Sequence, residues 1–366
     1  KGTSENPGSA FSDLVASVGG RENAFTSNDY TGYFQQVARD HLGRMMALEA
    51  DRMRNLALTA EVAAPELNVV LEERRSRVDN DPSSQLGETL DAALFANHPY
   101  GTPVIGWEHE IAALTFEDAL SFYRTHYRPE NAVLVVAGDV TPDEVRRLAE
   151  ETYGMIPASA GPGERVRPQT PALLGKRVVE LSDQRVNQPS VRRAWIVPSY
   201  TTAEPGQAEA LDVLAQILGG DSTSRLYAAL VRGDGPASAA GAWYQSSGLD
   251  DTRFMTWGVP KDGRTLAEIE AGFEAAIAEI AANGVTAEEL ARAKTTLVSS
   301  AVFAQDNQSS LARIFGVALT TGGTVEDVQT WPSRIAEVSA EDVRAAAARY
   351  LDRDRSVTGR LLKPTS

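Results

Sequence analysis

Stretches with apolar residues at helical spacing alternate along the chain with short runs rich in β-branched and aromatic residues, and the same order occurs twice. In the first half "LVASVGGRENAFTSNDYTGYFQQV" predicts a helix end, a turn and strands. An amphipathic helix comes next in "DHLGRMMALEADRMRNLAL", then a helix within "PELNVVLEERRSRVDNDP", residues 65–82. In the second half "LVRGDGPASAAGAWYQSSGLDDTRFMTWGV" predicts a helix end, a turn and two strands. Helices come next in "TLAEIEAGFEAAIAEIAANG" and "TAEELARAKTTLVSSAVFA". Each half closes alike: "LTFEDALSFYRTHYRPENAVLVVAGDV" and "VSAEDVRAAAARYLDRDRSVTGRLL" both predict a capped helix with an acidic first turn, then a β-rich run. The copies lie roughly 220 residues apart, a period that means duplicated domains rather than a solenoid.

The chain is therefore expected to be α+β, with two domains of one fold, each a mainly antiparallel sheet with helices packed on one face. Residues 1–160 form the first and 176–366 the second. The Pro, Gly and Ala-rich segment between them, 161–175, is the expected linker.

The repeat also exposes a gap. The second half opens with "RVVELSDQRVNQPSVRRAWIVPSYTTAEPGQAEALDVLAQILGG", which predicts two strands and a helix, and the first half has no counterpart. "KGTSENPGSAF" aligns with the residues directly after "ILGG", so the chain is expected to begin inside a domain. Either the preceding piece was removed or another chain supplies it. A domain cut there would expose sheet edges and core.

Composition narrows the function. With 50 acidic against 35 basic residues the chain lacks the basic face of a nucleic-acid binder. No apolar stretch is long enough to span a membrane. The absence of cysteine excludes disulfides, thiolate zinc sites and a cysteine nucleophile. The Arg and Ala-rich usage suggests a bacterial source.

The chemistry-bearing candidates are Glu66 and Glu73, seven positions apart and hence on one helix face. Pro65 suits the first turn of that helix, and Asn80-Asp81-Pro82 ends it. Two readings stand. The pair is a metal or general-base site, or it is part of a charged flank in which Glu72 and Glu73 face Arg75 and Arg77. In the second copy Glu66 corresponds to Glu289, whereas Glu73 falls at Thr296. A chemical site present in one half would behave that way; so would drift.

At these residues the chain resembles the M16 metallopeptidases, the insulinase, pitrilysin and mitochondrial processing peptidase superfamily, whose domains are of the LuxS/MPP type. The resemblance rests on "KGT", "GGRENAFTSNDYTGYF", the Glu66/Glu73 spacing, "HPYGTPVIG", "FYRTHYRPENAVLVVAGDV" and "LGGDSTSRLYAALV", which cover nearly the whole chain. It implies a zinc-dependent endopeptidase acting on unfolded or short peptides inside a chamber. Zn2+ would be held by Glu73 and by two histidines of an inverted His-x-x-Glu-His motif, with Glu66 supporting catalysis by orienting a histidine or the water. His41, His98, His109 and His126 do not form that motif, which would fall just upstream of Lys1. His98 and His126 are expected to pack and hydrogen-bond.

The resemblance further implies that Asn23, Ala24, Phe25 and Thr26 bind an extended peptide along a sheet edge; an ordinary strand after the Gly19-Gly20 turn is the other reading. Arg232 fits a carbonyl-binding arginine, but the tyrosine expected seven residues on falls at Ser238 or Ala239. A lost tyrosine beside retained glutamates suits the zinc-bearing subunit of a two-subunit enzyme. Its partner would be a second M16-like subunit or a copy of itself, in a bacterial periplasm or, alternatively, the cytoplasm. The rival functions are a non-catalytic structural or partner subunit of that family and a peptide-binding module.

Overall fold

In this computed structural model residues 2–158, 162–163 and 165–364 are described. Lys1 of the "KGT" run and parts of the expected linker, Gly161 and Glu164, lie outside them. Helix α1 (Ala10–Ser17) leads into β1 (Arg21–Thr26) and β2 (Thr31–Gln36). Helices α2 (Leu42–Asn55), α3 (Ala60–Arg74), α4 (Pro82–Leu94), α5 (Glu108–Ala113), α6 (Phe116–His126) and α7 (Pro142–Glu151) come next. The second half runs β3 (Arg177–Ser182), β4 (Ser190–Val197), α8 (Gln207–Ala215), β5 (Ala237–Tyr244) and β6 (Thr252–Pro260). Then come α9 (Leu266–Asn283), α10 (Ala287–Ala304), α11 (Gln308–Thr320), α12 (Val325–Glu337), α13 (Ala340–Tyr350) and β7 (Val357–Leu362). No helix among the described residues is long and apolar enough to cross a membrane.

The chain forms two compact units that do not follow its order. One comprises Lys1–Arg75, Val104–Arg167 and Asn307–Gly316; the other Ser76–Pro103, Pro168–Asp306 and Val317–Ser366. Thus α4, from the first half of the sequence, belongs to the unit of the second.

That second unit is built on a five-stranded sheet of order β3-β7-β4-β6-β5, antiparallel except where β3 runs parallel to β7. Alternation along β4 and β6 sends Trp195 and Phe254 to one face, where they are buried with Leu211 and Leu214 of α8 and Ile269 and Phe273 of α9. Ala194 and Met255 point to the other face, where Leu90 and Leu94 of α4 cover them. Gly359 of β7 permits that approach: a Cβ there would stand 2.9 Å from Leu90. Helices therefore lie mainly on one face, with α4 alone on the other among the elements of this core.

In the first unit β1 and β2 form a two-stranded antiparallel sheet over a small core of Val15, Met45 and Leu48. The expected capping boxes occur at both matching helices, Thr115–Asp118 before α6 and Ser339–Asp342 before α13. The runs after them differ. Residues 357–362 pair with β3 and β4, while their counterpart, residues 132–137, joins no ladder among the described residues. A β-rich sequence becomes a strand only beside a partner.

Candidate active site

Helix α3 starts earlier than its proline suggests. Thr59 caps it, its side chain accepting the Val62 N–H at 3.4 Å, and Glu61 sits favourably in the first turn. Pro65 consequently lies inside the helix and not in its first turn as expected. At the other end the buried Arg74 donates to the Gly106 carbonyl at 2.7 Å. A wide turn, Arg75–Asp79, then leads to Asp81, which caps α4 through the Ser83 and Ser84 N–H groups. Asn80-Asp81-Pro82 does separate the two helices.

Glu66 and Glu73 are both half-buried on one face of α3. Of the charged-flank reading, the Glu72–Arg75 pair is present, at 2.5 Å with Glu72 exposed. Seven residues separate their Cα atoms by about 10 Å along the helix axis.

In α10 the counterpart of Glu66 is given to structure. Glu289 completes a capping box with Thr286 and receives both Arg225 Nε, at 2.8 Å, and a terminal nitrogen, at 2.9 Å. The Arg225 hydrogen bonds pull its carboxyl down to about 2. Glu66 cannot do the same work, because α3 begins at Ala60 and its third position is Val62.

The four expected peptide-binding residues all fall in β1, whose partner is β2. Their backbones do not face the same way. The turn closes with the Ser27 N–H on the Tyr30 carbonyl at 2.8 Å, so Phe25 and Asn23 occupy hydrogen-bonded pairs with Gly32 and Phe34. Ala24 and Thr26 then aim their N–H and C=O groups away from β2, at the outer edge. The Asn23 side chain already accepts the Ala24 N–H at 2.8 Å.

Two supports of this hairpin are not apparent from the sequence. Arg313 of α11 lies over the Phe25 ring, 5.0 Å from its centroid. Arg52 of α2 stacks on Tyr33 at 4.0 Å and donates to Glu49 at 2.5 Å, while burial pushes the Glu49 carboxyl above its ordinary range. Only the Arg52–Glu49 spacing on α2 could have signalled either.

Arg232 stands exposed in the other unit, just after a helical turn at Tyr227–Val231. Ser238 is the residue left over at a bulge in β5, opposite the 259–260 step of β6, and donates to the Val259 carbonyl. Tyr244 is committed elsewhere, donating to the Pro198 carbonyl at 2.6 Å. His98 is buried: Nδ1 accepts the Tyr100 N–H at 3.1 Å, and Nε2 lies 2.9 Å from Asp250. Because an amide only donates, the ring proton sits on Nε2, toward Asp250.

Among the described residues no three His, Cys, Asp or Glu side chains are grouped to hold a metal. An α3 carboxylate suits zinc as one oxygen ligand, but a catalytic zinc takes three protein ligands. The described residues do not by themselves make that centre.

Residues 1–108 match the sequence model of the insulinase family (peptidase family M16), and residues 113–297 match that of the peptidase M16 inactive domain. The chain belongs to the M16 peptidase family. An uncharacterised zinc protease of Mycobacterium leprae is 30% identical over 362 residues, covering 96% of this chain and 78% of that relative. The crystal structure of a protease from Helicobacter pylori superposes with a TM-score of 0.92 at 25% identity, covering 100% of this chain and 86% of that one. The first half of the periplasmic protease PqqL of Escherichia coli shares the fold, with a TM-score of 0.78 at 19% identity over 100% of this chain and 81% of that chain. The α+β architecture with two M16-type domains is thus the family's own.

Proposed function

We propose that this M16 chain is the zinc-bearing subunit of a metalloendopeptidase that cleaves unfolded or short peptides within a closed chamber. The observation that carries the reading is the Glu66/Glu73 pair on one face of α3, retained in the half of the chain whose duplicate has lost it. Glu73 is assigned as a zinc ligand, and Glu66 as the carboxylate that orients a neighbouring ligand or water. The histidines come from a His-x-x-Glu-His segment outside the described residues. Zinc, when bound, supplies a water acidified toward neutrality and a Lewis acid for the scissile carbonyl. The outer edge of β1 receives the peptide, with Ala24 and Thr26 offering backbone hydrogen bonds and Asn23 and Phe25 holding the strand to β2. Arg232 serves the substrate carbonyl.

Residues 1–160 and 176–366 are assigned as the duplicated domains, joined by 161–175. Ser238 or Ala239 at the tyrosine position supports a second M16-like subunit as partner, a homodimer being the alternative. The zinc-protease names of relatives support Zn2+, and that of the Escherichia coli relative supports the periplasm. The match of residues 113–297 to the inactive-domain model favours a second reading, a non-catalytic partner subunit.

The test uses the full-length protein. About one zinc per chain and chelator-sensitive cleavage of a quenched peptide are expected. Glu73→Gln should lose both, while Glu66→Gln should keep most metal and lose cleavage by about 10–100-fold. Zinc content and cleavage unchanged in Glu73→Gln would sink the assignment; a metal-free, inactive wild type would leave the partner subunit.

A further inference from the structure

The second unit contains a cavity of about 580 Å³ on the α4 side of its sheet, within the range of small-ligand sites. Its floor is strand β6, where Arg253, Met255, Trp257 and Val259 alternate toward it. Trp243 and Trp257 line it and are 39% and 36% exposed, unusual for such large rings in a sheet.

Two glycines keep the space open. Trp257 pairs with Gly241 across the strands, and a Cβ on Gly241 would stand 2.8 Å from its indole nitrogen. Gly87 is harder to explain by packing. It lies within α4, where glycine is a poor helix former. An added Cβ would meet only an Arg192 terminal nitrogen, at an ordinary 3.5 Å. The fold tolerates a Cβ there, and a longer side chain would enter the cavity beside Arg192.

The cavity's two guanidinium groups differ. Arg253 is satisfied, paired with Asp91, bonded to Gln245 and lying over the Trp243 ring at 5.7 Å. Arg192, which pairs with Trp257 across the strands, donates to Ser83 Oγ at 2.5 Å and has no carboxylate at ion-pair distance among the described residues. Burial pulls it below its ordinary range despite Asp81 and Asp91 nearby. A half-buried cation with spare donors and an aromatic wall beside it is short of an anion that carries an apolar body.

We propose that this cavity binds the C-terminal residue of a peptide, its α-carboxylate on Arg192 and its apolar side chain against Trp257, Trp243 and Met255. The shared chemistry is an apolar monocarboxylate. The peptide is the favoured source because the proposed activity generates new C-termini, and in that respect alone the inference rests on that reading.

The experiment titrates the full-length protein, in chelator, with three probes while following tryptophan fluorescence. N-acetylphenylalanine should bind saturably, and its amide about tenfold or more weakly, the loss expected for a charge-assisted contact. Arg192→Gln should weaken the acid by about tenfold and leave the amide unchanged. Gly87→Leu, at native melting temperature, should weaken both by placing its side chain in the cavity beside Arg192. 3-Phenylpropionate, which lacks the peptide amide, should bind less tightly than N-acetylphenylalanine; equal or tighter binding overturns the peptide source. Equal affinity for acid and amide, or an acid affinity unmoved by Arg192→Gln, overturns the site. Binding without cleavage would refute only the peptidase reading, and cleavage without binding only this one.

Discussion

Single side chains decide whether this chain's edge strand is open. The Ala24 N–H faces away from β2, yet Asn23 Oδ1 holds it at 2.8 Å. A peptide adding to the edge must displace that contact. Asn23→Ala should therefore lower KM for peptide cleavage by about 3–5-fold with kcat unchanged, the worth of one hydrogen bond near 1 kcal/mol. Unchanged or raised KM in steady-state assays would remove Ala24 from the binding edge. At the duplicated position the opposite logic applies. Glu289 is held down to about 2 by Arg225, against an ordinary 4.5, so it binds fewer protons folded than unfolded. Its stabilisation is present above about pH 5 and lost as pH falls toward 2. Glu289→Gln should cost about 2 kcal/mol at pH 7, a cost that shrinks toward zero by pH 2, measured by urea melts across that range. Glu66 shows the limit of reasoning by repeat: the sequence aligns it with Glu289, but a helix begun at Ala60 leaves it no capping role.

Elements were legible where the signal was local. The order of helices and strands, the paired capping boxes and the Asn80-Asp81-Pro82 break arise from spacing and cap chemistry within a few residues. The start of α3 was hidden because proline is a strong first-turn signal and outweighed Thr59, whose cap is the true one. Residues 132–137 looked like a strand, but strand identity needs a neighbour, and that is not written in the segment itself. Register, by contrast, is testable on β1. Proline is tolerated in a strand only where the lost N–H faces outward. Ala24→Pro should keep the melting temperature near wild type while lowering kcat/KM by about tenfold, one lost hydrogen bond to the substrate backbone. Phe25→Pro should instead break the Gly32 pairing and lower the melting temperature. A reversed order would place the substrate-facing groups on Asn23 and Phe25.

At the scale of the whole molecule, contact between distant segments is the part that escapes sequence reasoning. Nothing near Phe25 announces Arg313, and nothing near His98 announces Asp250; both are consequences of the completed fold. The same holds for a buried acid in the second unit. Asp212 of α8 accepts the Tyr200 hydroxyl at 2.7 Å, Tyr200 accepts the Trp331 indole N–H at 2.7 Å, and Glu209 lies nearby, bound by Arg334. Burial outweighs these hydrogen bonds and pushes the Asp212 carboxyl up to about 7, from an ordinary 3.8. A folded state that keeps a proton the unfolded chain releases is stabilised below about pH 4 and loses that advantage as pH rises toward 7. Asn at this position still accepts the tyrosine hydroxyl but cannot ionise. Asp212→Asn should therefore gain stability relative to wild type by on the order of 2–4 kcal/mol between pH 4 and 7, read from denaturant midpoints at each pH. A constant difference across that range would mean that Asp212 ionises in the folded protein as readily as in the unfolded one, and that the Tyr200–Trp331 chain stabilises the carboxylate rather than the acid.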